Sequence, residues 1–297
     1  MKRSKAFLLI TMIILILYLI IKSDLKIDFK NKMKQGIKNK FAITLGYLPD
    51  FYSKTDYYEF YKMIDLLSPL NNGELLLPQT NKISLKTKQL GETREKQIKN
   101  FISIIKYANK NNVFVWISAT TSDNLDDEYL FYTIARNRGY QNVGLTLATY
   151  HSDVSKRVDN ILKQNGHVRL VKGYYYGDLS NNWQEVGKLF EENAEKLAKT
   201  GNYHCIATQD FDILSSLVDK NLNLNNIEFG FFESAKNYVN YQLRERHLTN
   251  KLFYKSLYIP FGQLFPYLED NILLLDIPKI IPRKINQIKY DYFAILS

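Results

Sequence analysis

One cysteine in 297 residues rules out an intramolecular disulfide, so a small disulfide-stapled secreted scaffold is excluded. Cys205 lies in the apolar run His204-Cys205-Ile206-Ala207 and reads as a buried, inert thiol. The four histidines, His151, His167, His204 and His247, never fall at metal-ligand spacing. No Gly-x-Ser-x-Gly elbow and no glycine-rich phosphate loop occurs either. Metalloenzyme and serine-hydrolase chemistry are therefore set aside, and no metal is expected.

Acidic residues are scarce in one place only. The formal net charge is +10, but residues 1–40 hold ten Lys/Arg against Asp24 and Asp28, which accounts for +8 of it. The rest of the chain is close to neutral, so a basic nucleic-acid-binding surface is not implied and no nucleic-acid partner is expected.

Residues Ala6 to Ile21 are sixteen consecutive positions without a charge. As a helix they would span about 24 Å, slightly less than a bilayer core, and Lys5 and Lys22 can snorkel outward. A cleaved signal peptide is the alternative. No small-x-small cleavage site follows, only Lys22-Ser-Asp-Leu-Lys, which favours an uncleaved anchor. The reading is a tail at 1–5, a single-pass transmembrane anchor at 6–22 and a basic stalk at 23–40. Lysines 22, 26, 30, 32, 34, 38 and 40 suit anionic membrane lipid. Seven positive charges follow the span and three precede it, which puts the globular part on the cytoplasmic side.

Beyond the stalk, strand-like and helix-like patterns alternate. The strands are expected at 42–47, 83–87, 113–118, 143–148, 168–172, 203–208, 226–231 and 254–259. Between them, residues 93–109 place Ile98, Phe101, Ile102, Ile105 and Ala108 at helical spacing. Residues 181–200 do the same with Trp183, Val186, Phe190, Ala194 and Leu197. The pairs Glu192–Lys196 and Glu195–Lys199 add support, and Gly201 supplies a stop. Eight such repeats describe an α/β protein with a parallel sheet, either closed as a (β/α)8 barrel or open and doubly wound.

The most informative stretch is residues 167–177, His-Val-Arg-Leu-Val-Lys-Gly-Tyr-Tyr-Tyr-Gly. Alternation puts Arg169, Val171, Gly173 and Tyr175 on one face and Leu170 and Lys172 on the other. An arginine on a strand face has to meet an anion, a polar cofactor or solvent, because burying it unpaired is too costly. An edge strand with one wet face is the bland alternative.

That run closely resembles the "RLVKGAYW" strand of the proline dehydrogenase family, flavin-dependent (β/α)8-barrel enzymes. Other segments resemble the family in the same order: Ala42-Ile-Thr-Leu-Gly-Tyr-Leu48, Ile83-Ser-Leu-Lys-Thr-Lys-Gln-Leu-Gly91, Gly144-Leu-Thr-Leu-Ala-Thr-Tyr150, Ile206-Ala-Thr-Gln209, Ile227-Glu-Phe229, Leu257-Tyr-Ile-Pro-Phe-Gly262 and Pro266-Tyr-Leu268. The resemblance covers residues 41–275 and decides for a TIM-like barrel, with 276–297 as a C-terminal tail that reads either as a packing segment or as a second membrane-surface contact.

What the resemblance implies is an FAD-dependent oxidoreductase. It would pass a hydride from proline or another secondary amine to the flavin, whose electrons go on to a membrane quinone. By position, Arg169, Val171, Lys172, Gly173 and Tyr174 would line the flavin, with Thr208 and Gln209 on its far side. Lys86, Tyr175 and Tyr258 would face the substrate. The chain departs from the family pattern around the substrate. Ser118 stands where the family has an aspartate, and Ala148 where it has a glutamine. Asp270 and Asn271 replace the paired arginines that clamp the proline carboxylate, and Leu274 replaces a glutamate. No arginine lies between Arg246 and Arg283. Two readings follow: a membrane-anchored flavoenzyme, or a degenerate barrel that serves as a binding or scaffold protein.

Overall fold

A computed structural model describes residues 30–47, 57–71, 77, 79–119, 125–172, 179 and 182–261. The expected anchor at 6–22, Gly173, Tyr174, Tyr175, Asp270, Asn271, Leu274 and the tail at 276–297 lie outside them. Among the described residues no helix is long and apolar enough to cross a membrane.

All eight expected strands form, and they close on themselves. They are β1 (Ala42–Tyr47), β2 (Lys82–Leu85), β3 (Phe114–Ile117), β4 (Val143–Ala148), β5 (Val168–Val171), β6 (His204–Ala207), β7 (Ile227–Phe232) and β8 (Tyr254–Phe261). Each pairs in parallel with its successor, and β8 returns to β1 through the register Ala42↔Ser256 to Tyr47↔Phe261, giving a closed barrel. The open doubly wound alternative is thereby removed.

Helices wrap the outside: α1 at 30–38, α2 (Tyr58–Leu67), α3 (Arg94–Lys110), α4 (Leu125–Asn137), α5 (Val154–Leu162), α6 (Trp183–Lys199), α7 (Phe211–Asp219) and α8 (Lys236–Glu245). Their starts are chemically marked. Thr93 accepts from the Lys96 N–H, Asn182 from the Glu185 N–H, and Asp210 from the N–H groups of Asp212 and Ile213. Their ends are marked by left-handed residues: Asn112, Gly139, Asn165, Gly201, Asn221 and His247 follow α3 to α8 in turn, all with positive φ. One expected surface pair is rearranged. Lys199 does meet Glu195 at 3.7 Å, but Lys196 leaves Glu192 and crosses to Asp159 of α5 at 2.7 Å, so it ties two helices together.

Strand alternation divides the core in two. Outward residues such as Ile43, Leu45, Ile83, Leu85, Val115, Leu145, Leu170 and Phe229 join the helices in the main apolar layer. Inward residues fill the barrel with a smaller cluster of three aromatics and a cysteine, Phe114, Trp116, Tyr203 and Cys205, and with a polar set described below.

Candidate functional site

The floor of the barrel is a buried ion pair. Lys82 of β2 meets Glu228 of β7 at 2.6 Å, with side chains 0% and 1% exposed. A charge removed from water this completely needs every partner filled. Glu228 also accepts from the Tyr203 hydroxyl at 2.8 Å and from Ser256 at 2.6 Å, while Lys82 donates to the Thr80 carbonyl and lies over the Tyr203 ring. Burial, then the Glu228 charge, pushes the Tyr203 hydroxyl well above its usual pKa and does the same to the Cys205 thiol. Cys205 is thus an inert thiol, as expected, held inside the barrel.

Nearer the C-terminal mouth lies a second charge with different surroundings. Arg169 points inward, as alternation requires. Its Nε donates to Thr146 Oγ1 at 2.9 Å, one terminal nitrogen donates to Ser84 Oγ at 2.8 Å, and the guanidinium lies 5.7 Å over the Trp116 ring. Ser84 in turn shares a 2.6 Å hydrogen bond with Ser118, the residue standing where the resemblance expects an aspartate. Among the described residues Arg169 makes no ion pair: its close partners are hydroxyls and an indole face. Burial lowers its pKa, and the neighbouring Cys205, Tyr258 and Glu228 partly offset that shift. It stays a cation nonetheless. Beneath it, the fully buried Trp116 Nε1–H has no hydrogen-bond partner.

The remaining expected residues divide by strand face. Val171 lies on the Arg169 face at the rim, half-buried. Lys86 keeps an extended backbone (φ −101°, ψ 129°), so alternation continues the inward face of Lys82 and Ser84 through it. Tyr258 also turns inward. It packs edge-on to Phe232 at 5.9 Å and lies so close over β1 that a Cβ on Gly46 would fall 1.8 Å from its hydroxyl. Arg169, Val171, Lys86 and Tyr258 therefore share the barrel mouth. Lys172 does not: it leaves on the other face and pairs with Asp210, the cap of α7. Thr208 is engaged too, its hydroxyl accepting the Asp210 N–H at 3.1 Å. Gln209 follows at the same strand end, half-buried. Ser84, Thr146, Trp116 and the Lys82–Glu228 pair went unnoticed in the sequence. The signal was present, since Lys82, Ser84 and Lys86 alternate along one strand as Arg169 and Val171 do.

Among the described residues no group of three or more His, Cys, Asp or Glu side chains is placed to hold a metal ion. An FAD, which the resemblance implies, is tested by the same residues. A cation with only neutral partners and an orphaned indole donor beside it fit a ring whose carbonyl and nitrogen edge accepts hydrogen bonds and takes on negative charge when reduced, whereas Lys172 is already committed elsewhere.

No protein-family model matches the chain, and no curated protein matches it. Solved structures do. Proline utilization A from Bdellovibrio bacteriovorus, inactivated by N-propargylglycine, superposes with a TM-score of 0.63 at 17% identity over 78% of this chain and 29% of that one. A bifunctional proline utilization A protein gives 0.57 at 15% identity over 79% and 28%. Proline utilization A from Corynebacterium freiburgense gives 0.56 at 11% identity over 90% and 31%. The chain spans less than a third of the length of these neighbours. At such identities the likeness establishes a shared barrel fold.

Proposed function

We propose that this chain is a flavoprotein oxidoreductase of the proline dehydrogenase type, acting on proline or a related secondary amine with its barrel mouth as the site. The observation that carries the reading is Arg169, an inward guanidinium with hydroxyl partners and no carboxylate. The barrel likeness to proline utilization A structures supports it. In this reading Arg169, Val171, Gly173 and Tyr174 hold the FAD, with Thr208 and Gln209 at its edge. Lys172 stays with Asp210 and orders the rim.

When bound, FAD would supply hydride acceptance and onward electron transfer to a quinone in the bilayer. The chain's own groups supply position and charge. Ser84 and Thr146 fix the guanidinium fork, so its positive charge stands in one place where negative charge accumulates. The Trp116 indole walls the site below and keeps water out. Lys86, Tyr175 and Tyr258 face the substrate. Because Asp270 and Asn271 stand where paired arginines would clamp a carboxylate, affinity for free proline is expected to be poor. An amine without that carboxylate suits the chain better. The single-pass anchor, with the barrel on the cytoplasmic side, completes the proposal by keeping the site near the quinone pool.

A second reading is favoured by the same replacements: the barrel retains its fold as a binding or scaffold protein without turnover. One measurement separates the two. Purified protein carrying flavin absorbance that bleaches anaerobically with a secondary amine supports the enzyme. Colourless protein that takes up no FAD on titration leaves only the scaffold.

A further inference from the structure

Helix α1 descends the outside of the barrel from mouth to floor. At its start Lys32 meets Glu233 at 3.7 Å and Gln35 accepts from Lys236 at 2.8 Å, both partners following β7 at the mouth. Its far end leads through Lys40 and Phe41 into the first residue of β1. Gly36 presses on the outer face of the sheet, where a Cβ would sit 2.8 Å from Ile43. With Met33 and Gly36 buried, Lys30, Lys34 and Lys38, four residues apart, share the exposed side. Lys32, drawn to Glu233, is not part of that stripe.

The stripe ends at a cavity of about 350 Å³ on the rim of the floor, walled by Ile37, Phe41, Leu70, Phe253, Lys40 and Lys255 among others, with no carboxylate in its lining. Three of the walls are apolar side chains left in water: Ile37 is 41%, Leu70 38% and Phe253 60% exposed. Neither lysine forms an ion pair among the described residues. Lys255 donates to the Leu252 carbonyl at 2.6 Å and the Thr249 carbonyl at 3.3 Å, which leaves one ammonium proton for a ligand. Burial and the charge of Lys40 both lower its pKa. Two like charges turned toward one cavity are relieved by an anion.

We propose that this cavity seats the head of an anionic phospholipid of the bilayer, and that the Lys30–Lys34–Lys38 stripe lays the α1 flank of the barrel along the membrane. A free inorganic anion would satisfy the two lysines but would leave Ile37, Leu70 and Phe253 in water. An amphiphile covers both kinds of surface. The uncharged run Ala6–Ile21 ends eight residues before residue 30, and eight residues span at most about 28 Å. The inference stands independently of any flavin chemistry at the mouth.

The test uses the full chain in dodecyl maltoside, with its melting temperature followed against dihexanoyl phosphatidylglycerol, dihexanoyl phosphatidylcholine or inorganic phosphate. Phosphatidylglycerol is expected to raise it by several degrees and the other two to leave it unchanged. Lys40→Gln combined with Lys255→Gln should abolish the response without lowering the lipid-free melting temperature, and Lys255→Arg should keep it. Phe253→Ser should raise the half-saturating lipid concentration about tenfold. An equal response to phosphatidylcholine, a full response to phosphate, an undiminished response in the double variant, or no response at all would overturn the proposal. The last is also the outcome if residues 262–297 of the chain itself fill the cavity.

Discussion

Arg169 donates to the Ser84 hydroxyl at 2.8 Å although the two are 85 positions apart in the chain. β5 and β2 are separated by two strands in the sheet, so the contact spans the interior of the barrel. It holds a positive charge in place without neutralising it. A carboxylate in the position of either hydroxyl would have cancelled the charge.

Arg169→Met tests what that charge is for. Replacing a desolvated cation by an apolar side chain of similar length is often neutral or stabilising. The melting temperature of cofactor-free protein is therefore expected to hold or rise. FAD affinity, measured by absorbance titration, should fall by about 10- to 150-fold, the loss of a charged hydrogen bond of about 1.5–3 kcal/mol. A drop in melting temperature with unchanged FAD affinity would make Arg169 a structural residue.

At the floor the expectation is reversed. Lys82→Met strands a buried carboxylate and should cost about 3–5 kcal/mol in urea unfolding. Lys82→Met with Glu228→Gln removes both charges and should recover most of that loss. The two substitutions then combine far from additively. Additive losses would mean that the pair contributes through packing alone.

His204 gives the barrel an acid-sensitive joint. Its Nδ1 accepts the Val168 N–H at 3.1 Å, so in the neutral ring Nε2 carries the proton toward Thr200 at 3.0 Å. Burial, then the neighbouring His167, drives its pKa down to about 3. The unfolded chain takes up a proton near pH 6.5 and the folded chain does not. Stability is therefore full above that pH and declines between about 6.5 and 3, by at most about 1.4 kcal/mol per pH unit for this group. Asn at position 204 can still accept from Val168 but does not titrate. His204→Asn should flatten this part of the acid limb in pH-dependent melting curves.

Gly46→Ala places a methyl group 1.8 Å from the Tyr258 hydroxyl. The tyrosine must leave its place at the mouth, at a cost of about 1–3 kcal/mol in melting or urea unfolding. Tyr258→Ala in the same chain should restore most of the stability, and Tyr258→Phe should not, because the ring carbon beneath the hydroxyl is only 2.3 Å away.

The eight strands and the direction of Arg169 were legible in the sequence because both follow from alternation, which local residues enforce. Contacts across the interior were not. Ser84 and Thr146 look like ordinary strand hydroxyls until closure brings β2, β4 and β5 around one space. Lys172 shows a different limit. Resemblance grouped it with the flavin-lining residues, while the two-residue period had already turned it to the opposite face, where Asp210 takes it. Lys196 goes to Asp159 and not to Glu192, because spacing along one helix says nothing of a carboxylate on the next.

The Lys82–Glu228 lock has a consequence for traffic. Among the described residues that end is corked by a salt bridge, a tryptophan and tyrosine packing, so a small molecule would have to enter the interior from the opposite end. Under the proposed function, substrate and product would share that route, past Arg169.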